Sequence, residues 1–381
     1  MSILYKISTI YKKIRFKLNG GIIRLQPAGP SQGTVLISYT TLPFIMPRSI
    51  NGHSNRWECK EMANIFLKHN YTVDIVDFDN ATFFPKDQYV ICIDNHNKLQ
   101  QWSKILGKDC IKIFHITTAH WLFQNTAEYT RLHDLKKRKG YVLQPRRTLS
   151  PSHNIEYANY ASILGNDFTE ETYAYAKKPI HRVHISTTHT YKSPEGKDFS
   201  NARTTFLWLG GSGMVHKGLD LVLEVFSKTP ELKLIILGKK DTDFMKAYEK
   251  ELSLPNITCV GHIDLGGEAF LKYADEAVAL IFPSCSEGTS GGVITALHAG
   301  LIPIVSYQSG VDCNDFGIIL KENSIDEIKK QVAIISSAPR EELQHRSLSA
   351  WKYAREHHTR EHFSKAYASF VENILRHKSK N

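Results

Sequence analysis

Two successive runs of strand–helix alternation predict an α/β protein built from two doubly wound domains that face each other across a cleft. Three observations carry this prediction. Short apolar segments alternate with segments of helical period, which selects parallel βαβ units. The length of 381 residues suits two domains, each with its own core. Between the two runs, residues 186–203 (STTHTYKSPEGKDFSNAR) are polar and rich in hydroxyls, and read as a linker.

The chain opens with residues 1–18, which contain no acidic side chain. Ile3, Ile7, Ile10, Ile14 and Leu18 recur at helical spacing, and Lys6, Lys12, Lys13, Arg15 and Lys17 occupy much of the remaining surface. A basic amphipathic helix of this kind suits an anionic membrane surface, and a helix docked on its own protein has the same pattern. Charges interrupt its apolar face and no cleavage site follows, unlike a signal peptide. Residues 19–33 (NGGIIRLQPAGPSQG) are expected to be a Gly/Pro-rich connector, so that 1–33 precedes the first domain.

The first domain is expected over 34–190. Thr34–Ser38 reads as a strand, and Pro43 and Pro47 place a long loop after it that ends in NGHSNRWE. A helix follows over 58–68, with Met62, Ile65 and Phe66 at apolar positions. Residues 72–77, 89–93 and 112–116 read as strands, 121–137 as a helix, and 161–164 and 181–185 as short closing strands. The second domain, 204–340, repeats this grammar: strand 206–209, the Gly-rich turn GGSGMVHKG, helix 219–227, strand 232–237, helix 244–252, strand 257–260 and helix 268–274. Strand 279–282, a helix opened by Gly291-Gly292, strands 302–305 and 316–320, and a helix over 324–336 capped by Ser324 complete it. The tail, 341–381, reads as helical and packs back across the domains.

Composition narrows the function classes. No apolar run approaches the ~18 residues that span a bilayer. Cys59, Cys92, Cys110, Cys259, Cys285 and Cys313 are scattered, with no C-x-x-C pair to suggest a zinc site or disulfide framework. This suits a reducing, cytoplasmic compartment. The formal net charge of +10 favours anionic partners, yet no nucleic-acid module is recognisable.

Ligands of open α/β sheets bind beyond the C-terminal ends of the strands. The loops to inspect are therefore 40–56, 117–121, 210–217, 238–239, 261–263 and 284–292. The richest lies in LIFPSCSEGTSGGVITALHAGLIPIVS, residues 280–306. Here Ser290, Gly291 and Gly292 open a helix whose first N–H groups are unpaired and carry the positive end of its dipole. Glycine lets a phosphate approach that backbone, and Glu287 can accept hydrogen bonds from hydroxyls beside it. A sugar on a diphosphate offers both groups. The turn Gly210-Gly211-Ser212-Gly213 with Lys217 also follows a strand and opens a helix, although it is neither G-x-G-x-x-G nor a Walker A loop.

The blocks LGGSGMVHKGLDLVLEVF, LKLIILG, ITCVGHI and FPSCSEGTSGGVITALHAGLIPIVS together resemble the donor domain of retaining GT-B glycosyltransferases of the group 1 type, a large family that includes many bacterial envelope-polysaccharide enzymes. The resemblance covers residues 204–320. It implies a GT-B fold of two Rossmann-like domains and a nucleoside-diphosphate sugar as donor substrate, without a separate cofactor. It implies that Lys217 contacts the donor diphosphate, alongside Gly211, Ser212, Gly213 and Lys239. Glu287 would hold the donor sugar, and the backbone of His262 and Ile263 would meet the base. Two positions depart from the family pattern. Ser212 stands where an arginine is usual, and Thr295 where a glutamate usually holds the ribose. In the first domain His120, at a strand end in HITTAHW, matches a histidine near the donor sugar, while His115 within the strand reads as structural. His53, Asn55 and Arg56 lie on the acceptor side.

The implied reaction is transfer to an acceptor hydroxyl with retention. Lys217 and the Ser290–Gly292 helix start would take the place of a metal; Asp241-Thr242-Asp243 has D-x-D spacing but reads as a helix N-cap. The basic start favours a glycan or lipid-linked acceptor in cell-envelope polysaccharide or lipopolysaccharide assembly, with the protein peripheral on the inner membrane face. Two alternatives stay open: a GT-B sugar-nucleotide epimerase, because Ser290-Gly291-Gly292 is similar to the helix start of those proteins, and a non-catalytic GT-B relic that binds sugar nucleotide.

Overall fold

The computed structural model describes residues 20–86 and 88–378. The basic amphipathic pattern of residues 1–18 lies outside the described residues. Strands β1 (Ile22–Leu25), β2 (Thr34–Tyr39), β3 (Thr72–Asp77), β4 (Tyr89–Asp94), β5 (Ile111–Ile116), β6 (Tyr160–Ile163) and β7 (Ile180–Arg182) form one sheet in the order β1-β3-β2-β4-β5-β6-β7. It is parallel except for the antiparallel edge strand β1. Strands β8 (Thr205–Gly210), β9 (Lys233–Gly238), β10 (Ile257–Gly261), β11 (Ala279–Phe282), β12 (Ile302–Ser306) and β13 (Ile318–Leu320) form a second, wholly parallel sheet in the order β10-β9-β8-β11-β12-β13. The two sheets make this an α/β protein with two Rossmann-like domains. Continuous apolar runs such as Ala279–Phe282 suit strands covered by helices on both faces, and all four of these residues are buried. Strand order reverses between β2 and β4 and between β8 and β11, where each sheet leaves a crevice at its C-terminal edge.

Among the described residues, the helices of eight or more residues are α1 (Ser54–Lys68), α2 (Trp121–Lys139), α3 (Leu219–Phe226), α4 (Glu268–Glu276), α5 (Gly291–His298), α6 (Ile325–Ser337), α7 (Arg340–His357) and α8 (Arg360–Lys378). None is long and apolar enough to cross a membrane. Ser324 caps α6 by accepting from the Glu327 amide at 3.2 Å.

Three local expectations are corrected. The connector stretch contains β1, because Arg24 reaches the buried Asp74 of β3 through two 2.7 Å hydrogen bonds. That pairing spans fifty residues, so local composition did not show it. The expected helix over 244–252 is two short pieces, Thr242–Ala247 and Glu249–Leu252, which meet at the fully buried Tyr248. The tail is broken between α7 and α8, at His358 and Thr359.

Two elements tie the domains together. Helix α7 packs on α5 and β12 of the second domain, whereas α8 packs on α1 of the first. Helix α2 follows a first-domain strand, yet its Leu135 is buried in the core formed by β8, β9 and α3. Its Arg138 donates to Asp220 at 2.5 Å and to Glu224 at 3.1 Å, and Arg131 donates to the Pro283 carbonyl at 3.0 Å.

Candidate active site

The loops after β2, β5, β8, β10 and β11 converge on a cavity of about 670 Å³ between the domains. Its lining includes Gly211, Ser212, Lys217, His262, Ile263, Glu287, Ser290, Gly291, Gly292 and Thr295 from the second domain and His120 from the first. Gly213 and Lys239, expected in the nucleotide-binding set, do not line it. Lys239 is exposed at the end of β9. Gly213 has another physical role: a Cβ there would lie 2.4 Å from Cγ of Arg147, so the bare position seats the Arg147 side chain.

Charge concentrates on Glu287. The Lys217 ammonium donates to its Oε1, and an Arg147 guanidinium nitrogen lies 3.8 Å from its Oε2. Ser284 Oγ approaches Oε1 at 3.3 Å. Burial by itself raises the pKa of this carboxyl, but the charges of Lys217, Arg147 and His216 outweigh burial and hold it down to about 2. Glu287 is therefore a fixed anion and a pure acceptor. Gly218 makes the Lys217 contact possible. It has φ +73°, and a Cβ would lie 2.5 Å from the Pro283 carbonyl oxygen, so only glycine brings the two loops this close. No side chain caps α5, and Gly291 and Gly292 at its start line the cavity.

A second network holds the loop that carries Arg147. Glu128 of α2 accepts from the Arg146 amide at 2.7 Å and the Arg147 amide at 3.3 Å. Its other oxygen pairs with His216 Nδ1 at 2.5 Å, and His216 Nε2 reaches the Ser286 carbonyl at 2.5 Å. Burial opposes a charge on His216, but Cys285 and Glu128 outweigh it and raise the imidazole to about 9. Glu128 and His216 thus position both Arg147 and the Glu287 loop. Neither Arg147 nor Glu128 was singled out in the sequence, since about seventy residues or more separate each from Lys217 and no motif joins them.

The first-domain wall differs. His120 is the N-cap of α2: its Nδ1 accepts from the Leu122 amide at 3.3 Å, and its Nε2 lies 3.3 Å from Tyr175 Oη. Burial lowers its pKa, which favours the neutral ring, against the opposing charge of Glu156. Across the cleft, the Ala119 amide donates to the Glu287 carbonyl at 3.3 Å, which brings His120 beside the Glu287 loop. His115 is buried in β5 against Ser162 at 2.8 Å, away from the cavity lining. His53 caps α1 through the Asn55 amide at 3.2 Å, and both line the cavity; Arg56 turns away to the Ser49 carbonyl at 2.7 Å. Sequence reading also passed over Glu58 of α1, which is fully buried in this wall. Its Oε1 accepts from Ser186 N and Oγ at 2.8 Å each, and burial raises the carboxyl to about 7.

At the nucleotide end, Thr295 Oγ1 donates to the Gly291 carbonyl at 2.8 Å, which leaves only acceptor capacity for a ribose. Asp241 caps the short helix after β9, accepting from Asp243 N at 3.1 Å, and it and Asp243 pair with Arg146.

Residues 207–353 match the family model described as glycosyl transferases group 1. No match was found among curated proteins. Among solved structures, HepE of Anabaena in complex with UDP and glucose superposes with a TM-score of 0.56 at 9% identity, over 91% of this chain and 100% of that one. Sucrose-phosphate synthase of Thermosynechococcus elongatus gives 0.57 at 12% identity, over 93% and 99%. Trehalose-6-phosphate synthase gives 0.58 at 8% identity, over 91% and 99%. At these identities the likeness is one of fold. The chain has the GT-B fold, and its residues 207–353 match the glycosyl transferases group 1 model.

Proposed function

We propose that this chain is a metal-independent, retaining glycosyltransferase that moves a sugar from a nucleoside-diphosphate sugar to an acceptor hydroxyl. One observation carries the reading: Lys217 and Arg147 converge on the anionic Glu287 beside the uncapped start of α5, in a cavity of about 670 Å³. Two cations and a helix N-terminus form a receptor for a diphosphate, and the carboxylate beside them is a receptor for sugar hydroxyls.

In this reading the donor diphosphate takes the cations that now face Glu287. Glu287 then accepts hydroxyls of the donor sugar. The bond from the anomeric carbon to the diphosphate oxygen breaks while the acceptor oxygen bonds to that carbon on the same face, and the acceptor proton passes to the departing diphosphate. Negative charge grows on the leaving group, and Lys217, Arg147 and the amides of Gly291 and Gly292 oppose it. Arg147 supplies from the α2 side the positive charge that Ser212 lacks. Closure of the two domains over the cavity would limit water at the anomeric carbon. HepE was solved with UDP and glucose, which supports a UDP-sugar among the donors to test first.

The test is incubation with a panel of nucleotide sugars, with and without candidate glycan and lipid-linked acceptors. Acceptor-dependent nucleotide release with retained anomeric configuration is expected. Interconversion of the sugars would instead assign an epimerase, and binding without turnover a sugar-nucleotide-binding relic. The basic pattern of residues 1–18 supports an acceptor held at an anionic membrane in envelope polysaccharide or lipopolysaccharide assembly. Removal of those residues should abolish co-sedimentation with anionic vesicles; unchanged sedimentation would remove the membrane part of the proposal.

A further inference from the structure

The chain passes between the domains twice, and both crossings meet at histidines. His184 follows β7, two residues before the linker begins at 186. His357 ends α7 and His362 lies in the first turn of α8, on either side of the break where the tail returns to the first domain. His184 Nδ1 is 3.2 Å from His362 Nε2. One ring nitrogen from each of His184, His357 and His362 lies within 4.8 Å of the other two, and all three side chains are half-buried. Their ring centroids are 5.6, 5.1 and 5.8 Å apart.

These spacings are close to those of a metal centre. A tetrahedral zinc ion with nitrogens at about 2.0–2.1 Å holds them about 3.3 Å apart, with ring centres about 5 Å apart. The His184–His362 pair already has this separation, and a small rotation of His357, at a helix end, closes the third side. The backbone under the cluster is held in place. His358 is fully buried and donates through Nδ1 to the Ile185 carbonyl at 3.2 Å, while His298 Nε2 donates to the His358 carbonyl at 3.0 Å. Hydrogen bonding among the rings uses only one nitrogen of each partner in a bonded pair, because a neutral imidazole has one donor and one acceptor. The third ring, His357, makes no hydrogen bond to the other two, and its Nε2 lies 3.8 Å from the Glu356 carboxylate.

We propose that His184, His357 and His362 form a binding site for a zinc ion, with a fourth position open to water, and that the bound ion pins the two domain crossings to each other. An all-imidazole donor set suits Zn²⁺, and Co²⁺ is its spectroscopic stand-in. The site lies where the chain crosses between the domains and shares no residue with the donor cavity, so it stands or falls independently of the transferase reading.

The experiment uses the full chain without a histidine tag, stripped with EDTA. Zinc titrated in competition with a chromophoric chelator is expected to bind one equivalent. Co²⁺ is expected to give the intense visible bands of a tetrahedral centre, and zinc to raise Tm by several degrees. His357→Gln and His362→Gln should each weaken zinc binding by at least about tenfold and remove the Tm rise. His345→Gln, on an exposed face of α7, should leave both unchanged. Equal Tm of the parent and of His357→Gln and His362→Gln in EDTA keeps a folding defect from imitating loss of metal. No zinc uptake by the parent, or uptake that His357→Gln and His362→Gln leave unaltered, overturns the site.

Discussion

Two glutamates line the same cavity and carry opposite protonation chemistry. Glu287, on the second-domain wall, is held down to about 2; Glu58, on the first-domain wall, is pushed up to about 7. Both are buried, so burial does not separate them. Neighbours do. Glu287 faces Lys217, Arg147 and His216, whereas Glu58 is offset mainly by two hydrogen bonds from Ser186, with Arg360 a weaker charge. The difference teaches that the walls have different tasks. One wall is charged in advance and suits an anionic leaving group. The other has no charge fixed in advance, being made of a capped His120, a Glu58 that titrates near 7 and hydroxyls, and it suits an acceptor that brings no charge.

The largest expected effect comes from dismantling the charged wall. Glu287→Gln or Lys217→Ala should lower transfer by about 10²–10³-fold, the scale of losing one preorganised electrostatic contact. Both side chains are only about a tenth exposed, at 9% and 11%, so either change alone strands a buried charge and costs about 3 kcal/mol of stability. The double change Lys217→Met/Glu287→Gln should regain most of that stability in chemical denaturation without regaining transfer. Transfer near the parental rate in either single variant would break the division of labour between the walls.

The next effect tests whether Arg147 stands in for the arginine absent at Ser212. Arg147→Ala removes a charged contact worth about 1.5–3 kcal/mol, so the donor KM should rise by about tenfold to a hundredfold. Ser212→Arg placed in the same chain should recover part of that loss, because position 212 lines the same cavity. Recovery would sharpen the comparison by showing that the charge matters more than the element that supplies it. An unchanged KM in Arg147→Ala would return Arg147 to a packing role on Gly213.

How much of this was legible follows from distance along the chain. Local signals located the strands, the Ser324 cap and the loops at strand ends, because period and capping are properties of neighbouring residues. They also singled out Lys217, Glu287 and the Gly291-Gly292 helix start, which lie in contiguous blocks with a recognisable resemblance. Arg147, Glu128 and Glu58 were invisible because each reaches the cavity through tertiary packing: α2 bends its allegiance to the second domain, and α1 brings Glu58 under Ser186 across 128 residues. β1 was missed for the same reason, as its partner Asp74 is fifty residues away. Gly213 lies outside the cavity lining, and a glycine that seats a side chain looks, in sequence, like one that admits a phosphate. The histidine cluster has no spacing pattern at all, since His184 meets His362 only where the two crossings pass.

A smaller effect concerns the network beneath the charged wall. His216 is raised from 6.5 to about 9, chiefly because Cys285 and Glu128 outweigh its burial. A raised folded-state pKa means that its contribution to stability is full below about pH 6.5 and is lost as pH climbs toward 9. Linkage puts that contribution at about 3 kcal/mol. The Tm gap between the parent and His216→Gln should therefore be widest near pH 6 and close by about pH 9.5. A gap independent of pH would show that His216 is neutral and that Glu128 holds the Arg147 loop without it.

Glu58 gives an effect of like size and the most direct test of the first-domain wall. Its folded-state pKa of about 7 lies above the 4.5 of an ordinary glutamate, so its contribution is full below about pH 4.5 and is lost as pH rises through 7. Above pH 7 the native protein must carry a buried carboxylate that only Ser186, Ser54 and Arg360 relieve. Glu58→Gln stays neutral, and its side-chain carbonyl can still accept from Ser186 N and Oγ. It should differ little from the parent at pH 5 and, with about 3 kcal/mol of linkage behind it, exceed the parent in Tm by several degrees at pH 8, measured by thermal melts across that range. The Ser186 bonds already temper the ionised state, and without them the carboxyl would be raised further. If Glu58→Gln were less stable than the parent at pH 8 by the same margin as at pH 5, the carboxyl would be ionised throughout, and the two walls would share one electrostatic character.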